Sequence, residues 1–192
     1  KDAAQNKRLR VAVVGVGHLG RYHAQKMKGL SALCELVALV DPDAARKEAL
    51  DKEFAVPVLE SIDALPQIDA AVIATPTSTH ADVAEALIRR GVHVMIEKPA
   101  VRTTEEGARV LKAMAEHPKV VVQVGHIERF NPAIVAVESV LDRPWYIVSE
   151  RLGPFKERSL DVDVIDDLMI HDLELCLHWL RGAKPTDVRG VG

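Results

Sequence analysis

Short apolar runs alternate with longer amphipathic stretches through the first 125 residues of the chain. Candidate strands are Leu9–Val14, Leu36–Val40, Ala70–Ala74, His93–Ile96 and Val120–Val124, most of them nearly continuous Val, Ile, Leu and Ala. Runs of that kind suit strands covered on both faces. The intervening segments, His18–Lys28, Asp43–Phe54, Thr79–Arg90 and Thr103–Glu116, carry the spacing of helices. Alternation of the two predicts parallel βαβ units. Asp41, Thr77–Thr79 and Thr103 stand at helix starts as caps, and Glu106 completes a capping box with Thr103. Gly91 stands where a helix has to stop.

After Gly125 the rhythm changes. Pro132, Pro144 and Pro154 punctuate the chain, Trp145–Leu152 reads as a strand, and a helix runs from about Asp167 to Arg181. This marks entry into a second, differently built domain. The polar lead Lys1–Lys7 reads as a loose tail. The sequence begins without Met and stops as a new apolar segment starts at Val188–Gly192, so it reads as the N-terminal portion of something longer.

Composition narrows the picture. A chain of 192 residues, 48% hydrophobic, holds one ordinary domain and part of another. The net charge of −3, with both signs interspersed, offers no basic footprint for nucleic acid. Apolar runs are strand-sized, too short to cross a bilayer, and no secretory leader is visible. Cys34 and Cys176, set among apolar neighbours, read as buried reduced thiols, which points to the cytoplasm.

The chemistry begins at Gly15-Val-Gly17-His18-Leu19-Gly20, a G-x-G-x-x-G between a strand and a helix. Gly15 permits the tight turn, Gly17 lets the backbone approach a pyrophosphate, and Gly20 lets helix and strand pack closely. A purely structural turn is the bland reading. Against it, Asp41 ends the second strand where a carboxylate accepts ribose hydroxyls. The predicted fold is therefore α/β. A Rossmann doubly wound parallel sheet spans residues 1–125, and the start of an α+β substrate and oligomerisation domain spans residues 126–192. A carboxylate at position 41, with no Arg immediately following, repels a 2′-phosphate and favours NAD over NADP.

Ligands of open parallel sheets lie beyond the carboxyl ends of the strands. There stand Thr75-Pro76-Thr-Ser-Thr-His80 and Glu97-Lys98-Pro99. Capping explains the threonines without requiring His80. Glu97 and Lys98 are costly to bury unpartnered; they form a salt bridge at the sheet rim, or Lys98 donates to a reacting oxygen. On the late helix Asp167, His171, Glu174, His178 and Arg181 share one face. That stripe either faces solvent, with Asp166 or Asp167 as cap, or its i, i+4 pair Asp167–His171 makes a general base. No compact metal-ligand cluster and no nucleophile elbow is present.

In this order, G-x-G-x-x-G, Thr75–His80, Glu97-Lys98-Pro99, Gly125-His126-Ile-Glu-Arg129-Phe-Asn131-Pro132 and Asp167–Asp172 resemble the Gfo/Idh/MocA family of oxidoreductases over nearly the whole chain. The resemblance implies catalytic roles for Lys98, Asp167 and His171, with His171 the base and Lys98 at the substrate oxygen. It sets His80 and Glu97 near the nicotinamide side of the cofactor, and His126, Arg129 and Asn131 at the start of the substrate pocket. The wording G-H-I-E-R-F-N-P and D-L-M-I-H-D-L-E-L is most similar to bacterial UDP-N-acetylglucosamine 3-dehydrogenase-like members. The implied activity is hydride transfer between NAD and a hydroxyl of a sugar or nucleotide sugar, by a protein that is a homo-oligomer when full length. A non-catalytic dinucleotide sensor and a reductase of a non-sugar ligand are the alternatives.

Overall fold

In the structure, a computed structural model, residues 7–142, 144–152 and 163–191 are described. The chain divides into two compact units, Lys1–Gly125 and His126–Gly192. Most of the lead expected to be a loose tail, residues 1–6, and Pro154 lie outside the described residues.

The first unit runs β1 (Leu9–Val14), α1 (His18–Gly29), β2 (Cys34–Val40), α2 (Ala44–Phe54), β3 (Val58–Leu59), β4 (Ala70–Ile73), α3 (His80–Arg89), β5 (His93–Ile96), α4 (Thr104–Glu116) and β6 (Val122–Val124). All pairings are parallel, in the order β3-β2-β1-β4-β5-β6. The order reverses between β1 and β4, the crevice where open α/β sheets take their ligands.

Strand alternation divides the core. Ala12 and Val14 of β1 point into one cluster with Ala81, Leu87 and Ile88 of α3 and Val110 of α4. Val13, pointing the other way, joins Ala24 of α1 and Leu50 and Phe54 of α2. Both faces of β1 are thus covered, which is why its run carries no polar alternation. Gly91, at φ +76°, ends α3: its N–H donates to Ile88 O and the Val92 N–H to Leu87 O, closing a Schellman motif.

Two expected caps are corrected. Asp43, not Asp41, caps α2, its Oδ1 accepting from the Ala45 N–H at 2.9 Å. Asp41 lies two residues too early and is drawn into the glycine turn instead. Thr77–Thr79 forms a 3₁₀ turn without side-chain capping, because the Thr79 hydroxyl donates back to Pro76 O at 2.9 Å. Thr103 does cap α4, its hydroxyl accepting from the Glu106 N–H at 3.2 Å.

In the second unit, α5 (Pro132–Glu138) follows a short turn, and a π turn over Ile165–Met169 leads into α6 (Ile170–Trp179). The strand expected at Trp145–Leu152 is absent; residues 144–152 are irregular. A strand persists only within a ladder, and no described segment of this unit offers an edge to pair with. Among the described residues no helix is long and apolar enough to cross a membrane.

Candidate functional site

The glycine turn joins β1 to α1, and each glycine answers to a measurable constraint. Gly15 adopts φ +82° and donates its N–H to Val40 O at 2.8 Å. A Cβ on Gly20 would lie 1.8 Å from Gly15 O, so helix and turn approach more closely than any side chain allows. A Cβ on Gly17 would meet only Arg46 Nη1, at 3.9 Å, so the space beside this residue at the mouth of α1 is open. His18 and Leu19, between these glycines, are exposed, and the His18 ring stacks edge-to-face on Tyr22 at 5.1 Å.

Asp41, 5% exposed, follows β2 and holds the turn. Its Oδ2 accepts the Val16 N–H at 2.9 Å and its Oδ1 the Asp43 N–H at 3.0 Å. Oδ2 takes a second, longer bond from Arg46, whereas Oδ1 keeps a lone pair for a ribose hydroxyl. Arg46 is a residue that the sequence reading missed. Its guanidinium lies 3.4 Å from Asp41 Oδ2 and 3.0 Å from Asp43 Oδ2. The charge at this end of the site is a carboxylate with a guanidinium beside it, not a carboxylate alone. A cleft of about 680 Å³ opens here, lined by Gly15, Gly17, Asp41, Arg46, Thr75 and Pro76 among others. An open cradle at a helix N-terminus, acceptors at the end of β2 and an adjoining cleft fit a dinucleotide.

Beyond β4 and β5 the loops are tied together. His80, 1% exposed, has Nδ1 2.9 Å from Pro99 O and Nε2 2.9 Å from Thr75 O. Carbonyls only accept, so a neutral ring serves one of these oxygens and a doubly protonated ring serves both. His80 thus fastens the loop after β4 to the loop after β5, while the Thr75 hydroxyl lies 2.8 Å from Thr79 Oγ1. The Lys98–Pro99 peptide bond is cis.

Glu97 is buried at the end of β5. Its Oε1 lies 2.6 Å from His23 Nε2, and its Oε2 accepts the Lys98 main-chain N–H at 3.2 Å. Gly125 makes room for it; a Cβ there would fall 3.2 Å from the carboxyl carbon. Burial pushes the Glu97 carboxyl up, but the hydrogen bond and charge of His23, with the Lys98 N–H, outweigh that and hold it below the ordinary glutamate value. A group with a depressed folded value stabilises above its unfolded value, and that contribution disappears as pH falls through the folded one. The melting-temperature penalty of Glu97→Gln is therefore expected to be full at neutral pH and to shrink below about pH 4.5. Calorimetric melts of both proteins across that range check it.

The second unit bears on the two readings of the polar stripe. Leu168, Met169, Leu173 and Leu177 are 40–47% exposed, whereas Asp167, His171 and His178 are half-buried and Glu174 is buried. Apart from exposed Arg181, the polar stripe does not face solvent. Arg129 draws Glu174 inward with an Nε–Oε1 ion pair, and Glu138 holds His178 Nε2 at 2.8 Å. Asp172, the charged residue off the stripe, takes a two-pronged bond from Arg151, 2.9 Å on each oxygen, which lowers its carboxyl below the ordinary aspartate value. Neither Asp166 nor Asp167 caps this segment: Asp163 Oδ1 accepts the N–H groups of Ile165 and Asp166. Asp167 lies in the π turn and His171 in the first turn of α6; single π turns recur at functional positions. Arg129 is spent on Glu174. Asn131 caps α5 by accepting the Ala133 N–H at 3.0 Å, and half-buried His126 precedes a short 3₁₀ turn. Cys34 and Cys176 are both free thiols, the first buried and the second half-buried.

The sequence pattern of an oxidoreductase family with an NAD-binding Rossmann fold matches residues 9–126, from the first strand through the last. The chain belongs to the Gfo/Idh/MocA family. UDP-N-acetylglucosamine 3-dehydrogenase of Acidithiobacillus ferrooxidans is 48% identical over 96% of this chain and 58% of its own length. Its solved structure matches with a TM-score of 0.87 at 46% identity, over 96% of this chain and 61% of that one. Scyllo-inositol 2-dehydrogenase (NAD(+)) of Bacillus subtilis is 32% identical over 96% of this chain and 57% of its own length. GenD2 from gentamicin A biosynthesis, solved with NAD, is 25% identical with a TM-score of 0.77, over 95% and 56% of the two chains. The chain thus spans little more than half of these Gfo/Idh/MocA relatives. Its first unit is an NAD-binding Rossmann domain.

Proposed function

We propose that this protein is an NAD-dependent oxidoreductase that exchanges a hydride with a secondary hydroxyl or ketone of a sugar. The substrate class we favour is a nucleotide sugar, with oxidation at C3 of UDP-N-acetylglucosamine as the first candidate. The observation that carries the reading is Lys98: it lies just beyond β5 at the ligand edge of an NAD-binding sheet, with both flanking residues tethered. The relative that shares 48% of its residues bears the corresponding name.

Bound NAD supplies the hydride-accepting ring. Asp41 and the open backbone at Gly17 bind and orient its ribose and phosphates. His171, oriented by Asp167, takes the proton of the substrate hydroxyl. Lys98 is a hydrogen-bond donor to a substrate oxygen as negative charge develops on it. The Asp41 carboxylate favours NAD over NADP. Arg46 offsets part of the repulsion that a 2′-phosphate would meet. We assign the protein to the cytoplasm, in keeping with its free thiols, and expect a homo-oligomer at full length.

A panel of UDP-sugars, free sugars and inositols, each with NAD and with NADP, tests the reading through formation of reduced cofactor. Turnover is expected with NAD and an N-acetylated UDP-sugar. Silence across the panel, together with tight NAD binding, makes the protein a sensor rather than an enzyme.

A further inference from the structure

We infer that His23 is a positioning residue for Lys98, acting through Glu97. The inference rests on the catalytic reading of Lys98 given above and adds a residue from outside the nucleotide motif and the strand-end loops. His23 lies on α1, three positions beyond Gly20, with its side chain only 17% exposed. Its Nε2 lies 2.6 Å from Glu97 Oε1 although the two are 74 residues apart in the chain. The other carboxylate oxygen accepts the Lys98 N–H. An unbroken line of contacts therefore runs from the first helix, through a buried carboxylate, to the main chain of the lysine.

Three features make this more than a buried ion pair. The carboxylate is enclosed: Gly125 stands so close that a Cβ there would press on both its oxygens, at 3.2 and 3.3 Å, so Glu97 has little room to turn elsewhere. The far flank of Lys98 is fastened independently, because the Pro99 carbonyl meets the buried His80 ring. With that side fixed, His23 and Glu97 determine where the near side lies. Finally, α1 carries the glycine turn at its N-terminus, so the helix that binds the phosphates also sets the lysine. Cofactor cradle and lysine are thus both referred to α1, as a precise hydride transfer requires.

The test uses the full-length protein with His23→Ala, His23→Gln and Lys98→Met. Glutamine keeps an N–H donor at about the reach of Nε2. Misplacing a catalytic group by about an ångström costs on the order of 100-fold, so His23→Ala is expected to lower kcat by about 10- to 100-fold. NAD affinity and melting behaviour should report a folded, cofactor-binding protein, and His23→Gln should recover much of the loss. Carboxyl ¹³C NMR should show the Glu97 value rising in His23→Ala, since burial remains while its partner is gone. An unchanged Glu97 titration, or full turnover in His23→Ala beside an inactive Lys98→Met, overturns the inference alone. Full turnover in Lys98→Met overturns the catalytic reading itself, and the unmoved kcat of that variant tells the two failures apart.

Discussion

Lys98→Met is expected to reduce turnover by about 10³-fold or more while NAD binds almost as before, the loss typical when one donor to a developing oxyanion is removed. Methionine keeps most of the length of the side chain and deletes its charge, so packing around the strand end changes little. The proposed nucleotide cradle is built from other residues, Gly15, Gly17 and Asp41, so binding should be left intact. His171→Asn should fall by a comparable factor, about 10²- to 10⁴-fold for a lost general base. The double variant decides between two pictures. Residues that serve one proton-transfer step lose little more together than either does alone. Multiplying losses would mean that lysine and histidine serve separate steps. Pre-steady-state formation of reduced cofactor, with NAD affinity from calorimetry, gives both quantities; full turnover in either single variant removes the assigned role.

Some of this was legible in the residues and some was not, for identifiable reasons. Strands β1 and β5 follow directly from their apolar runs, Val11–Val14 in β1 being buried throughout and Val94 and Ile96 in β5 alternating with half-buried neighbours. β3 went unseen: two residues after Pro57 carry no period at all, and Val58 and Leu59 are strand only because β2 offers its edge. The reverse failure is Trp145–Leu152, whose composition favours a strand but which has no described partner in its unit. On α6 periodicity identified the polar face and left its direction open. Arg129 and Glu138, whose charges compensate that stripe, lie on other elements, and a helical wheel cannot see them.

The site divides the same way. The glycine turn and Asp41 are local patterns, whereas Arg46, in the first turn of α2, reaches Asp41 from five residues away, a spacing that no dinucleotide motif marks. Glu97 was recognised as needing a partner on energetic grounds. The partner is His23, and its helix position was a usable signal: it falls on the inner face of α1 between buried Gly20 and Ala24. A buried carboxylate and an inward-facing histidine, each unexplained alone, could have been paired from the sequence.

Gly20→Ala is expected to be the most damaging single substitution in the first unit. The added carbon would lie 1.8 Å from Gly15 O and 2.9 Å from Gly15 C, both main-chain atoms. Neither can retreat, since the Gly15 N–H is held by Val40 and the turn runs so close to Ala74 and Thr75 that a Cβ on Gly15 would fall 2.6–2.7 Å from their main-chain atoms. Helix α1 must move off the sheet instead, opening the cluster where Ala24 meets Val13 and Leu39. Overpacking typically costs about 1–3 kcal/mol where side chains can adjust; with backbone on the other side, a loss of about 3 kcal/mol or more is expected. That is a large share of the roughly 5–15 kcal/mol that holds a domain together. Gly17→Ala is the control. Its φ of −72° suits alanine and its new carbon meets only the tip of Arg46, so urea unfolding should match the parent. NAD affinity should nevertheless drop, because the methyl fills the approach to the pyrophosphate. Equal destabilisation by the two substitutions would mean that helix–turn contact is not what Gly20 protects. Equal NAD affinity in Gly17→Ala and parent would mean that the phosphates approach α1 elsewhere.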